Sequence, residues 1–308
     1  MRSTLWPHKC NPYDIYMVVV DDARIPVIQI ARRLKINPKT ADIWWNNAIN
    51  KQIIIPPRFR RKSFLNFREY VSFLNVRDPH ALYELYKEDE DLIYFSVQTG
   101  FANFEVISKT PIEPEGDVVL SGCRSDYYVS IPPDISFKEA GKILFKKLET
   151  CEHYECQDSP LVLRTEPYEP WDEKDEEIYE GLCNDLRKPF AQVMRETSTY
   201  SDKIMKWFRR KDEFGHTITM YFPLGLSSYL PTLYAIDTEY ESLIIHLFSE
   251  LPTPTVFYKI QDTVMMSVYL PFTLEDRILI RKALSVLQKK ELVNRYTNSI
   301  AEYYYRPD

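Results

Sequence analysis

Asp22-Ala23-Arg24-Ile25-Pro26 returns 163 residues later as Asp185-Leu186-Arg187-Lys188-Pro189. At the same offset Ile15-Tyr16 falls on Ile178-Tyr179, Gln29 on Gln192, Arg32 on Arg195 and Trp44 on Trp207, with no gap. Further along, Tyr70-Val71-Ser72-Phe73 lies on Leu233-Tyr234-Ala235-Ile236, Ile93-Tyr94-Phe95 on Val256-Phe257-Tyr258, and Gln98 on Gln261. Few residues are identical, but apolar character keeps its register, which is the signature of a duplicated module. The chain therefore reads as two copies, near 1–150 and 165–308. Between them, 151–170 carries Pro160, Pro167 and Pro170 among acidic and polar residues, the composition of a linker.

Each copy opens with three short amphipathic helices. In the first, apolar residues recur at Ile15, Val18 and Val19, at Val27, Ile30, Ala31 and Leu34, and at Ala41, Trp44, Trp45 and Ala48. Asn37-Pro38 supplies a cap and a proline at the first helical position of the third helix. The second copy repeats the pattern at 178–186, 190–196 and 201–214, with Ser201 as the expected cap. Strands at 53–56 and 217–222 follow, so each copy predicts a winged helix-turn-helix whose third helix would enter a DNA major groove.

The exposed side of that helix offers Lys39, Thr40, Asn46 and Asn47 in the first copy, and Asp202, Lys203, Lys206 and Arg210 in the second. Such side chains address base edges and phosphates. Beside the first helix, Arg58-Phe59-Arg60-Arg61-Lys62 places four cations in five residues where a wing would follow the phosphate backbone. Arg209-Arg210-Lys211 is the second copy's equivalent. A basic run is also the ordinary dress of a solvated face, and cations suit a helix C-terminus.

After the helices the period changes to two. Strands are expected at 67–74, 92–98 and 102–107 with a helix from Asp78-Pro79 to Tyr86, and in the second copy at 230–236, 256–261, 264–270 and within 293–305, with helices at 240–250 and 273–289. That order, βαββαβ, is a ferredoxin-like module. The first copy departs from it after its third strand. There 117–131 reads as an extra hairpin around Cys123 to Asp126, ahead of a helix at 137–148.

The expected class is thus α+β, with a winged helix-turn-helix at 1–63, a ferredoxin-like module at 64–150, a linker at 151–170, a second winged helix-turn-helix at 171–225 and a second module at 226–308. This arrangement resembles the leucine-responsive regulatory protein/asparagine regulator (Lrp/AsnC) family of transcription factors, whose α/β part is called the RAM domain. The second copy's Trp171-Asp172-Glu173-Lys174-Asp175-Glu176-Glu177-Ile178 looks like the family's Leu-Asp-x-x-Asp-x-x-Ile opening. Asp185 to Phe190, and Asp22 to Val27, look like its Asp-Ala/Gly-Arg-x-x-Phe/Ile segment.

The resemblance implies an effector loop of the form Gly-x-x-Asp between the second and third strands of the module. Gly100-Phe101-Ala102-Asn103 matches it with Asn for Asp, whereas the second copy has Thr263 where Gly100 would fall. The implied protein is a sequence-specific regulator of transcription. It binds double-stranded DNA, senses an amino acid or similar effector through Gly100, Phe101 and Asn103, and forms a pseudo-dimer within one chain or a homo-oligomer.

Composition narrows the alternatives. Seven glycines, none spaced as GxGxxG or GxxxxGK[ST], argue against a backbone phosphate cradle. No stretch approaches the roughly 18 apolar residues of a membrane span, and 1–11 lacks a signal peptide's apolar core, so a cytoplasmic protein without membrane partners is expected. The five cysteines, an odd and scattered set, fit free thiols in a reducing compartment.

Cys151, His153 and Cys156 lack the second pair of a structural zinc site, His8 with Cys10 is a lone pair, and no metal or cofactor is expected. His80, His216 and His246 sit in no motif with a nucleophile or carboxylate, so no enzymatic activity is expected. Two other readings stay open. Siroheme decarboxylases resemble the same family and place histidines in the α/β pocket, and an assembly factor would use its helix-turn-helix units for protein contacts alone.

Overall fold

The computed structural model describes residues 11–89 and 91–306. It forms two compact units, each built from both copies: a helical unit of residues up to Arg61 with Glu169–Ser228, and a sheet unit of Lys62–Tyr168 with Tyr229 onward.

In the helical unit the first copy supplies α1 (Pro12–Asp21), α2 (Val27–Leu34) and α3 (Pro38–Asn50), then strand β1 (Ile54–Arg61). Asn11 and Asp14 form a capping box at α1, and the Asn37 side chain accepts from the Lys39 N–H at 2.9 Å to start α3. The second copy's counterparts, numbered in chain order, are α6 (Glu173–Leu182), α7 (Phe190–Glu196), α8 (Ser201–Phe214) and β7 (Gly215–Tyr221). Two expectations shift here. Asp172 and Asp175 make a capping box that starts α6 earlier than Ile178, and Ser201 is the first helical residue of α8 rather than its cap. In both copies the turn before the third helix is closed by a left-handed residue at the same repeat position, Lys35 (φ 54°) and Ser198 (φ 47°).

The strands expected at 53–56 and 217–222 run instead over 54–61 and 215–221, and they pair with each other: β1 is antiparallel to β7, from Ile54 opposite Tyr221 to Arg61 opposite Gly215. Each strand then completes the other copy's core. Phe59, fully buried, lies 5.0 Å from the Trp207 ring and 5.5 Å from Phe214. Tyr221 stacks on Tyr16 at 5.2 Å within the first copy's cluster of Ile15, Val19, Ile30, Trp44 and Ala48. Gly215 allows this approach, since a Cβ there would sit 2.1 Å from the Phe59 ring. Each copy's core thus includes an aromatic ring supplied by the other, whose burial stabilises the pair by on the order of 2 to 3 kcal/mol.

The sheet unit holds nine antiparallel strands in the order β5-β2-β4-β3-β11-β8-β10-β9-β6. The first copy contributes β2 (Tyr70–Asn75), α4 (Pro79–Tyr86), β3 (Leu92–Gly100), β4 (Phe104–Ser108), β5 (Asp117–Cys123), β6 (Tyr128–Val129) and α5 (Phe137–Glu149). The second contributes β8 (Tyr229–Asp237), α9 (Glu241–Phe248), β9 (Val256–Ile260), β10 (Thr263–Pro271), α10 (Leu274–Lys289) and β11 (Arg295–Tyr305), the βαββαβ order expected. Within each copy the four main strands lie in the spatial order fourth, first, third, second.

The expected hairpin at 117–131 does not form. β5 pairs with β2 as the fourth strand of its own module, while β6 pairs with β9 of the other copy. The helix displaced by this change, α5, packs through Leu144 and Leu148 into the second copy's helical layer, among Ile244, Phe248, Leu284 and Leu287. The two ends of the sheet meet. Arg124 bridges to Ile260, the Ser125 N–H donates to the Lys259 carbonyl at 2.9 Å, and Gln261 Nε2 donates to the Ser121 carbonyl at 2.7 Å. Val71, Phe73, Ile107, Leu120, Leu233, Tyr258 and Met265, from strands of both copies, share one interior.

Segment 151–170 has no regular structure beyond a 3-10 turn at Cys151–His153, but Leu161 and Tyr168 are buried. Cys151 is buried with its Sγ on the Leu148 carbonyl, Cys156 is exposed, and no group of His, Cys, Asp and Glu among the described residues is placed to hold a metal ion. His8 and Cys10 lie outside the described residues. No helix among them is long and apolar enough to cross a membrane.

Candidate nucleic-acid interface

On α3 the buried stripe of Ala41, Trp44 and Ala48 turns the other side outward, so Lys39, Asp42, Asn46, Asn47 and Asn50 are exposed and Thr40 is half-buried. Asp42 is the single acid on that face. In the same copy Arg32, Lys35, Lys51 and Arg58 are also exposed. Long amide and ammonium side chains presented this way suit hydrogen bonds to base edges and phosphate oxygens.

The second copy's helix is arranged differently. Asp175, with only 3% of its side chain exposed, draws Lys203 to 2.9 Å and Arg210 to 3.5 Å, and Lys203 also pairs with Asp172 at 2.8 Å. That hydrogen bond from Lys203 holds the Asp172 carboxyl below the usual carboxylate range. Lys206 and Arg209 remain exposed, but beside Asp202, Asp212 and Glu213. Charge over the whole unit splits the same way. Residues 11–61 hold nine Lys and Arg against four Asp, whereas 169–228 hold nine against twelve Asp and Glu.

The basic run at β1 is largely committed within the unit. Arg60 donates through Nη1 to the Phe59 carbonyl at 2.8 Å and the Cys183 carbonyl at 3.1 Å. Arg61 pairs with Glu176 at 2.6 Å and lies 4.1 Å over the Tyr179 ring. Lys62 is half-buried at the start of the sheet unit.

Sequence reasoning assigned no role to Arg24 and Arg187, which hold the two copies together by matching contacts. Arg24 donates to the Leu186 carbonyl and, at 3.1 Å, to that of Lys188; Arg187 donates at 2.8 Å to the carbonyls of Ala23 and Ile25. Each set is the other displaced by 163 residues, as a two-fold relation requires. The ring contacts follow suit, with Arg24 5.1 Å from the Phe208 centroid and Arg187 4.7 Å from that of Trp45. Burial pushes both guanidiniums down from their ordinary range, and for Arg24 the charge of Arg187 adds to it. The signal was in the repeat: an arginine kept at one position in both copies where most neighbours had changed.

The loop suspected of holding an effector is tightly built. Gly100 has φ +152°, and a Cβ there would lie 2.2 Å from the Asn298 carbonyl oxygen of β11. The Phe101 N–H donates to that same carbonyl, its ring packing 5.1 Å from Phe73 in the sheet interior. Both ends of the Asn103 amide grip Val76, accepting from its N–H at 2.9 Å and donating to its carbonyl at 2.8 Å. Gly100→Ala is expected to cost about 2 to 3 kcal/mol and to speed hydrogen exchange at 299–301; an unchanged denaturation midpoint would contradict the close approach.

His80 stacks on Tyr303, His153 sits in the 3-10 turn, His216 is on β7 and His246 stacks on Tyr154. Burial lowers the His246 pKa, aided by Lys147.

No protein-family model matches the chain, and no curated protein matches it in sequence. Among solved structures, it is similar to the siroheme decarboxylase NirDL, with a TM-score of 0.51 at 12% identity over 96% of this chain and 92% of that one. The same enzyme in complex with an iron-uroporphyrin III analogue matches with a TM-score of 0.51 at 11% identity. At such identity the likeness is one of fold: a mixed α/β chain with antiparallel sheets, shared along nearly its whole length.

Proposed function

We propose that the chain is a double-stranded DNA-binding regulator in which the first copy's three helices form the helix-turn-helix that faces DNA. The second copy, of the same winged type by its element order, serves as its fixed partner. The observation that carries this reading is the asymmetry of exposed charge. Lys39, Asn46 and Asn47 stand outward on α3 and Arg32, Lys35 and Lys51 are exposed in the same copy, while Lys203 and Arg210 on α8 are held by Asp172 and Asp175. The left-handed turns at Lys35 and Ser198 and the Lrp/AsnC-like motifs support it. A small-molecule effector acting through Gly100, Phe101 and Asn103 would work by altering the contact these residues make with β11 and the loop at Val76.

The test is affinity for a random-sequence duplex, measured between roughly 50 and 200 mM salt, where each phosphate contact steepens the salt dependence. Lys39→Ala and Lys51→Ala should each lower the slope of log affinity against log salt by about 1. Lys206→Ala and Arg209→Ala should leave it as it is. No binding at low salt, or equal losses from both copies, overturns the reading.

A second reading is favoured by the fold shared with the siroheme decarboxylase over 96% of the chain. On that reading the scaffold handles a tetrapyrrole, and titration with siroheme should give a saturable change in its absorbance.

A further inference from the structure

We propose that the interior of the sheet unit binds a small organic amine that carries no carboxylate, with Glu105 receiving the ammonium group. This does not rest on the DNA-binding reading. Glu105 lies on β4, opposite Ser96 of β3 and Phe73 of β2, and is only 6% exposed. Ser96 Oγ donates to its Oε2 at 3.2 Å, and Gln98 Nε2 donates to the same oxygen. The Gln98 amide is fixed from its other end, where its oxygen accepts from Ser299 Oγ of β11 at 2.7 Å. Hydrogen bonds donated to a carboxyl favour its ionised form, so these neighbours are arranged for a carboxylate.

What the carboxylate lacks is an opposite charge. Among the described residues no Lys, Arg or His pairs with Glu105, and its Oε1 accepts from none of them. A buried carboxylate held by neutral donors alone is costly, and a cation brought to it offsets that cost. Burial without a counter-charge pushes the carboxyl up to about 7, against the two hydrogen bonds.

The surroundings suit an organic cation rather than a metal ion. A hard metal ion takes several oxygen ligands, and no group of His, Cys, Asp and Glu among the described residues is placed to supply them. Beside Glu105 stand Tyr94 of β3 and Tyr258 of β9, both raised well above the usual phenol range, first by burial and then by the charge of Glu105. Neutral phenol rings attract a cation. The apolar body of a ligand has room on β8 and β10, where the inner-face residues Leu233, Ala235, Ser267 and Tyr269 are half-exposed. Their outer-face neighbours Tyr234, Ile236, Val268 and Leu270 are buried with α9 and α10. Arg124, the cation that acts on Tyr258, is engaged by Glu69, with Nε and Nη2 each 2.8 Å from Oε2. A carboxylate on the ligand would therefore add like charge beside Glu105.

Phenethylamine, phenylalanine and phenethyl alcohol share one ring and differ in charge, and calorimetric titration of the full chain with each at neutral pH tests the proposal. Saturable binding of the amine is expected, tighter than that of the amino acid or the alcohol by on the order of tenfold or more. Glu105→Gln should weaken amine binding by on the order of ten- to a hundredfold, the loss of one charge-assisted contact. Should the variant fail to fold, NMR of carboxyl-labelled glutamate in the wild-type chain decides the matter, since the amine should move one glutamate resonance and the alcohol none. No saturable amine binding, equal binding of the alcohol or the amino acid, or unchanged affinity in the variant overturns the proposal.

Discussion

Replacing either Arg24 or Arg187 by Ala is expected to lower the stability of the helical unit by about 3 kcal/mol. Each removes two charge-assisted hydrogen bonds, worth roughly 1.5 to 3 kcal/mol apiece before solvent screening, together with a ring contact. The contacts are direct: Arg24 on the carbonyls of Leu186 and Lys188, Arg187 on those of Ala23 and Ile25. The double variant should lose less than the two single losses added, because the second arginine works only while the first keeps the copies aligned. Lysine at either position should rescue little, since an ammonium cannot span two carbonyls as the guanidinium fork does. Denaturant unfolding followed by tryptophan fluorescence measures this. Strict additivity would mean that the two arginines do not share one interface.

Arg124→Ala is expected to be costlier still, by about 3 to 5 kcal/mol, because it strands a buried carboxylate. Arg124 is 1% exposed and Glu69 8%, and the guanidinium also lies 3.7 Å over the Tyr127 ring. Joining the two ends of the sheet depends on this residue, since its backbone bridges to Ile260. Replacing the pair together, Glu69→Gln with Arg124→Met, should be far milder than the single change, as the desolvation of two charges is removed with their attraction. A full-size loss in the double variant would show that packing, and not charge, fixes the residue there.

Much of this fold was legible in the sequence because it depends on local chemistry. Asn37-Pro38 and Asp78-Pro79 start α3 and α4 where their caps predict. The 163-residue offset anticipated counterpart elements through β4 and β10. What was not legible was partnership. The sequence places a strand at 53–56 but shows neither that it runs on to Arg61 nor that its partner is 215–221 of the other copy, and the same gap hid the destinations of β5 and β6.

Glu105 was hidden for a related reason. In Phe104-Glu105-Val106-Ile107 a charged residue flanked by apolar ones reads as a solvent-facing position, whereas here both faces of β4 are covered and all five of its residues are buried. For the proposed DNA face, the sequence supplied the cations and amides of α3, but the commitment of Lys203, Arg210, Arg60 and Arg61 to internal partners is a three-dimensional fact.

Residues 46 and 209 occupy the same repeat position on the two third helices. A photo-crosslinking side chain placed at each in turn, in the full chain mixed with duplex DNA, tests most directly whether the halves of this pseudo-dimer have parted roles. Crosslinks from position 46 with few or none from 209 are predicted. Equal yields from both, or none from 46, would contradict the division of the chain into a reading copy and a holding copy.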